Sequence, residues 1–117
     1  MSEEFFRIEG IKVNDEFQGP AIMYFDNGRR IEGTMVDGEF QGPAIDYIDG
    51  ERTEGTMVDG EFQGPVIMYF MYGERAEGTM VDGKFIGTVT IYKPDGMITY
   101  LNIPPDDVDD NPQAAAW

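Results

Sequence analysis

The sequence predicts an all-β fold, an elongated and curved antiparallel sheet of stacked β-hairpins followed by a short acidic tail. Three observations predict it. First, Glu-Gly recurs at Glu9-Gly10, Glu32-Gly33, Glu54-Gly55 and Glu77-Gly78, at spacings of 23, 22 and 23 residues. A second glycine follows nine residues later each time (Gly19, Gly42, Gly64, Gly87), and a third keeps phase at Gly28, Gly50, Gly73 and Gly96. Self-similarity at one period marks a repeated supersecondary unit. Second, short runs rich in β-branched and aromatic residues alternate with turn pairs such as Asp-Gly, which supply the positive φ angles of tight hairpins. Third, helix signals are absent until the tail.

The units span about residues 9–31, 32–53, 54–76 and 77–99, and the repeat domain extends over 1–103. In the first unit Asn14-Asp15 stands where later units have Asp-Gly, a pair that tolerates left-handed geometry less well. In the second, Arg30 to Val36 reads as a short strand, Asp37-Gly38 as a turn and Glu39 to Ile48 as a longer strand. The second and third glycines lie nine residues apart in units one, three and four but eight apart in unit two. That difference predicts three-residue loops at Asp26-Asn27-Gly28 and Pro94-Asp95-Gly96 and a two-residue turn at Asp49-Gly50. A deletion there changes loop type without flipping side chains to the other face. Proline follows the second glycine at Pro20, Pro43 and Pro65. It cannot donate to a ladder, so a bulge or break is expected there and no uninterrupted ten-residue strand. The fifth unit aborts after Tyr100, and residues 97–103 are expected to cap the open edge. Residues 104–117 form an acidic Pro/Asp tail, either disordered or one short helix capped by Asp110 or Asn111 with Pro112 at its first position.

Composition narrows the function classes. Twenty-three acids against eight bases leave a net charge of −15. Such a chain repels phosphate backbones and anionic lipid, which argues against direct nucleic-acid binding and against a membrane surface. A basic protein partner fits the charge, as does mimicry of nucleic acid; the same charge also simply keeps an open sheet dispersed. There is no cysteine, no run of eighteen apolar residues, and no basic-then-apolar leader at Met-Ser-Glu-Glu-Phe-Phe, so the expected location is cytoplasmic.

Stacking turns equivalent positions into columns. Ile22/Tyr24, Ile45/Tyr47, Ile67/Tyr69 and Thr90/Tyr92 lie two apart on one strand face and carry no charge, which predicts the core face. The opposite face holds Met23/Phe25, Asp46/Ile48, Met68/Phe70 and Ile91/Lys93. Its charges predict a partly wet surface, and its apolar members make Met23, Phe25, Ile48, Met68 and Phe70, with Trp117 of the tail, the candidate interaction surface. Phe17, Phe40, Phe62 and Phe85 each follow a turn and read as staples between repeats. Arg7/Glu9, Arg30/Glu32, Arg52/Glu54 and Arg75/Glu77 read as a charge ladder that fixes register.

Glu-Gly, a hydrophobic residue two positions on, Asp-Gly, a further glycine, then an apolar run ending in Asp-Gly, resembles the MORN (membrane occupation and recognition nexus) repeat over roughly residues 7–100. Gly87-Thr-Val-Thr-Ile-Tyr-Lys-Pro-Asp-Gly96 resembles it most. The chain departs from the pattern in placing Ile8, Ile31, Thr53 and Ala76 where an aromatic is usual, and Lys12, Met35, Met57 and Met80 where tryptophan is usual. Ala21, Ala44, Val66 and Val89 stand where the second glycine of Gly-x-Gly is usual. The resemblance implies stacked hairpins in a curved sheet and an interaction module, sometimes tethering membranes or flanking enzymes.

No catalytic residue, cofactor site or metal site is expected. Histidine and cysteine are both absent, which removes the usual neutral-pH base and thiolate nucleophile. Four equivalent Arg-x-Glu copies do not make a singular carboxylate pair. Asp106, Asp107, Asp109 and Asp110 lack the alternation and glycine of an EF-hand loop. The expected function is a non-enzymatic interaction or scaffolding module that binds a protein partner, or a second copy of itself, through one sheet face. The alternative is an acidic nucleic-acid mimic presenting Asp37, Glu39, Asp59, Glu61 and Asp82 at regular intervals.

Overall fold

A computed structural model describes residues 5–104 of the chain. Nine strands form one open antiparallel sheet in sequence order: β1 (Phe5–Val13), β2 (Glu16–Phe25), β3 (Arg30–Val36), β4 (Glu39–Ile48), β5 (Glu51–Val58), β6 (Glu61–Tyr69), β7 (Arg75–Val81), β8 (Lys84–Tyr92) and β9 (Ile98–Ile103). Every strand pairs with its chain neighbours, as short hairpin connections dictate. The molecule measures 50 × 38 × 28 Å. A flat single sheet would be only about 10 Å thick, so the sheet is strongly twisted and coiled.

The turns follow the local chemistry. Asp37, Asp49, Asp59 and Asp82 have φ near +50°, and the glycine after each is also positive, at +80° to +84°. Positive φ at both central residues is the two-residue type I′ hairpin. Asn14 and Asp15 adopt the same geometry without glycine, at +53° and +69°. At the longer loops, Gly28 donates to the Phe25 carbonyl while Phe25 N–H donates to Arg29 O, and the pattern repeats at Phe70–Glu74 and Lys93–Met97. These are three-residue loops with glycine left-handed, so the one-residue deletion in unit two changes a loop and nothing else.

The Gly-Pro positions are bulged, but the strands do not stop there. β3 and β4 pair as Met35↔Phe40, then Gly33↔Ala44, so Gln41, Gly42 and Pro43 face the single residue Thr34. Gly42 takes φ +91° to make this possible. On its other edge the same stretch stays in unbroken register with β5, Gly42↔Met57 through Ile48↔Glu51. β2 and β4 are therefore continuous ten-residue strands, contrary to the expectation from proline. The bulge lies within the hairpin, where the missing N–H costs no regular ladder bond.

The core lies on the face opposite to the uncharged column. Ala21, Ile31, Met35, Phe40, Ala44, Met57, Phe62, Val66 and Met80 form one buried cluster, with Ile8, Phe17, Met23, Phe25, Met68 and Phe85 packed against it. The Ile/Tyr column is only half-buried and lies on the other side, so its assignment as the core face is overturned. Cross-strand register decides this: Tyr47 pairs with Arg30 and Arg52, and Ile45 with Glu32 and Glu54. Antiparallel partners share a face, so the Ile/Tyr column belongs to a charged surface.

The phenylalanine column acts inside each hairpin. A Cβ on Gly33 would stand 3.1 Å from the Phe40 ring and 3.1 Å from Ala44 Cβ, and Gly10, Gly55 and Gly78 are covered by Phe17, Phe62 and Phe85 in the same way. Each ring lies across the backbone of the Glu-Gly glycine, which explains why that position is glycine although its φ is not positive. Between repeats the connection is polar. Gln18 Nε2 donates to Asp37 Oδ1 at 2.7 Å and Asp37 N–H donates back to Gln18 Oε1 at 3.0 Å, with Gly38 N–H on the Phe17 carbonyl. Gln41–Asp59 and Gln63–Asp82 repeat the clamp with the same distances. The fourth unit has Ile86 at the glutamine position, and no Asp-Gly turn follows on the next strand.

Candidate functional site

The outer face carries the most regular chemistry. Register builds one row across eight strands, Arg7, Tyr24, Arg30, Tyr47, Arg52, Tyr69, Arg75, Tyr92. Beside it runs Glu9, Ile22, Glu32, Ile45, Glu54, Ile67, Glu77, Thr90. Each guanidinium stacks on a tyrosine ring, with the Arg30 carbon 3.9 Å from the Tyr47 centroid and Arg52 and Arg75 each 4.1 Å from Tyr69 and Tyr92. Each also bonds the glutamate two residues on, at 2.7–2.9 Å. The Glu32 and Glu54 bonds hold Arg30 and Arg52 above the ordinary guanidinium range. Stacking and pairing fix four long side chains that would otherwise sweep this surface, leaving the tyrosine edges and isoleucines as ordered, half-exposed features. A shallow depression of about 650 Å³ opens here, lined by Glu54, Thr56, Pro65, Ile67, Glu77 and Thr79 among others.

The inner face is largely consumed by folding. Met23, Phe25 and Met68, members of the expected interaction surface, are half-buried against the core cluster. Phe70 is half-buried where the loop after β6 begins, and Ile48 is exposed at 36%. The structure thus scatters this set between core, loop and rim. Trp117 lies outside the described residues, as do the Asp106–Asp110 run and the proposed cap at Asp110 or Asn111.

One departure from the repeat is internally compensated. Asp46 stands in the inner column where Met23 and Met68 stand in other units. Arg29, a residue that units two and three replace by Glu51 and Glu74, meets it with Nε at 2.9 Å and Nη2 at 2.7 Å. The pair is 23% and 15% exposed, and the Arg29 guanidinium also covers the Phe25 ring at 4.8 Å. It lines an open inner groove of about 490 Å³ with Ile48, Thr53 and Met68.

The acidic set falls on one rim. Asp37, Glu39, Asp59, Glu61 and Asp82 all sit at the two-residue turns that follow β3, β5 and β7. Successive turns on this rim are two strands apart, about 10 Å. Asp37, Asp59 and Asp82 each receive a glutamine amide in the inter-repeat clamp, a structural role that the spacing of Gln18, Gln41 and Gln63 could have signalled. Among the described residues no group of three or more acidic side chains is arranged to hold a metal ion, and no helix is long and apolar enough to cross a membrane.

No protein-family model matches the chain, and no curated protein sequence is significantly similar to it.

Proposed function

We propose that the chain is a non-enzymatic protein-interaction module of the MORN-like kind, and that it takes its partner on the outer face. One observation carries this reading. The outer face repeats the same ordered Tyr–Arg–Glu–Ile arrangement in successive units while the inner face is spent on the core. Tyrosine and arginine are the residue types that dominate binding energy at interfaces, and pre-ordering them lowers the entropy lost on association. The MORN-like label draws support from where the departures from the pattern sit. Ile31, Thr53 and Ala76, Met35, Met57 and Met80, and Ala21, Ala44, Val66 and Val89 are all buried on the inner side. Smaller residues in place of aromatics, and larger ones in place of glycine, compensate in one shared core.

The test is capture of a partner from native lysate by wild type and by the outer-face variant Ile45→Ser/Tyr69→Ser, with an equally stable inner-rim variant Ile48→Ser as comparison. Loss of capture only in the outer-face variant supports the proposal; capture indifferent to it refutes it. A second reading, the acidic mimic, is favoured by the alignment of the five acids on one rim. It requires binding to a basic nucleic-acid protein that weakens steeply with salt.

A further inference from the structure

The two edges of the sheet differ in kind. β1 carries Arg7, Glu9 and Lys12, the charges with which open sheets prevent edge pairing. β9, Ile98-Thr99-Tyr100-Leu101-Asn102-Ile103, is the one strand of the nine described that has no charged side chain. It is also exposed: Met97 just before it, Ile98, Tyr100 and Leu101 are 60%, 49%, 67% and 47% accessible. Among the described residues, no strand pairs with its far side.

Register with β8 places each β9 residue in the repeat. Val89↔Leu101 and Thr90↔Tyr100 are the counterparts of Val66↔Gly78 and Ile67↔Glu77. Leu101 thus replaces the glycine across which the next phenylalanine would lie, and Tyr100 replaces the glutamate. A further repeat strand of the usual kind cannot dock, because its ring would meet the Leu101 side chain. A strand with a small residue opposite Leu101 can.

Hydrogen-bond alternation says which groups face outward. Lys93 N–H donates to Met97 O at the loop, so Lys93/Met97 is a bonded pair and bonded pairs recur at every second residue. Met97, Thr99, Leu101 and Ile103 therefore bond β8. Ile98, Tyr100 and Asn102 direct N–H and C=O away from the sheet. We propose that β9 is a self-pairing edge, joining β9 of a second copy antiparallel about a two-fold axis at Tyr100. This register sets Ile98 opposite Asn102, Thr99 opposite Leu101 and Tyr100 opposite Tyr100. It uses all three outward residues of both copies, about six interchain hydrogen bonds. The small residue opposite Leu101 is then Thr99. A basic partner strand gains nothing from β9, which offers it no carboxylate, whereas an uncharged strand with this self-complementary register is β9 itself. The proposal concerns the edge and stands apart from what the outer face binds.

The test is sedimentation velocity on the full chain from about 10 μM to about 1 mM, the range in which a small interface associates. Mass should rise from 13.2 kDa toward twice that value. Added salt should strengthen the dimer, because it screens repulsion between two chains of net charge −15. Tyr100→Glu, which restores the repeat's own residue type and sets like charges opposite each other, should weaken it about tenfold. Asn102→Pro, which removes an outward N–H and leaves the β8 ladder intact, should weaken it at least as much. In the wild type, the Ile98, Tyr100 and Asn102 amides should exchange more slowly as concentration rises, a readout independent of variant folding. A chain that stays monomeric throughout, a dimer that salt weakens, or a dimer insensitive to Asn102→Pro overturns the proposal.

Discussion

Gly55→Ala probes the packing of the repeat most sharply. Gly55 has no positive φ, so alanine meets no backbone penalty and by itself would stabilise by about 0.4–1 kcal/mol through the unfolded chain. Packing opposes this. The added Cβ would stand 2.6 Å from Val66 Cγ1 and 3.1 Å from the Phe62 ring, with Pro65 O at 3.3 Å. Contacts that short displace a β-branched side chain fixed in a buried column, and overpacking of this kind costs about 1–3 kcal/mol. The expected net loss is about 1–2 kcal/mol, or roughly 4–10 °C in Tm. Gly33→Ala should cost less, since its neighbour is Ala44 Cβ at 3.1 Å. Val66→Ala removes the closest contact, so the double variant Gly55→Ala/Val66→Ala should be more stable than the sum of the singles by about 1 kcal/mol. Urea unfolding followed by far-UV circular dichroism measures all four. Gly55→Ala that is neutral or stabilising, or a strictly additive double variant, would refute the close packing of ring over glycine.

Other outcomes follow from the same geometry. Gln41→Ala removes one inter-repeat clamp and should cost about 1 kcal/mol in urea unfolding, the net worth of exposed hydrogen bonds; Ile86→Gln, with no facing Asp-Gly turn, should stay within about 0.5 kcal/mol. Arg29→Ala leaves Asp46 largely buried without its partner and should cost about 2–3 kcal/mol, while Asp46→Met in the same chain should recover most of it, because Met23 and Met68 already fill that column. Arg52→Ala removes an exposed Glu54 pair and a Tyr69 stack and should lower the urea midpoint far less than Arg29→Ala does.

Much of this fold was legible in the sequence, and what was not has identifiable causes. Glycine phase gave the repeat, and turn chemistry gave both hairpin types, because Asp37-Gly38 and Asp26-Asn27-Gly28 impose local geometry without tertiary help. The buried face was legible only across the hairpin. Taken strand by strand, Ile45 and Tyr47 look like core because no charge intrudes, and Asp46 makes the opposite column look wet. Register counted from the Asp37-Gly38 turn sets Ile45 opposite Arg30, and the bulge at Gly42 shifts the pairing by two, to Ile45 opposite Glu32 and Tyr47 opposite Arg30, without changing faces. Asp46 misled because its compensation, Arg29, comes from a loop seventeen residues away. The ten-residue strands escaped because proline is an obstacle on only one of the two edges of β4. For the candidate surface, Met23, Phe25 and Met68 are apolar for the ordinary reason that they pack. The ordered Arg–Tyr row emerges only when eight strands lie side by side.

Methionine oxidation tests the central claim, that the Met/Phe/Ala side of the sheet is the core and the Arg–Tyr side faces outward. The chain contains natural probes: Met35, Met57 and Met80 are 1%, 2% and 6% exposed, whereas Met71 and Met97 are 54% and 60% exposed. Dilute peroxide under native conditions, with peptide mass spectrometry over time, gives a rate for each. Met71 and Met97 should oxidise first, and Met35, Met57 and Met80 should lag by at least about tenfold, reacting only through opening of the fold. Equal rates at Met35, Met57 and Met97 would contradict the account, because that result places the methionine column on an open surface.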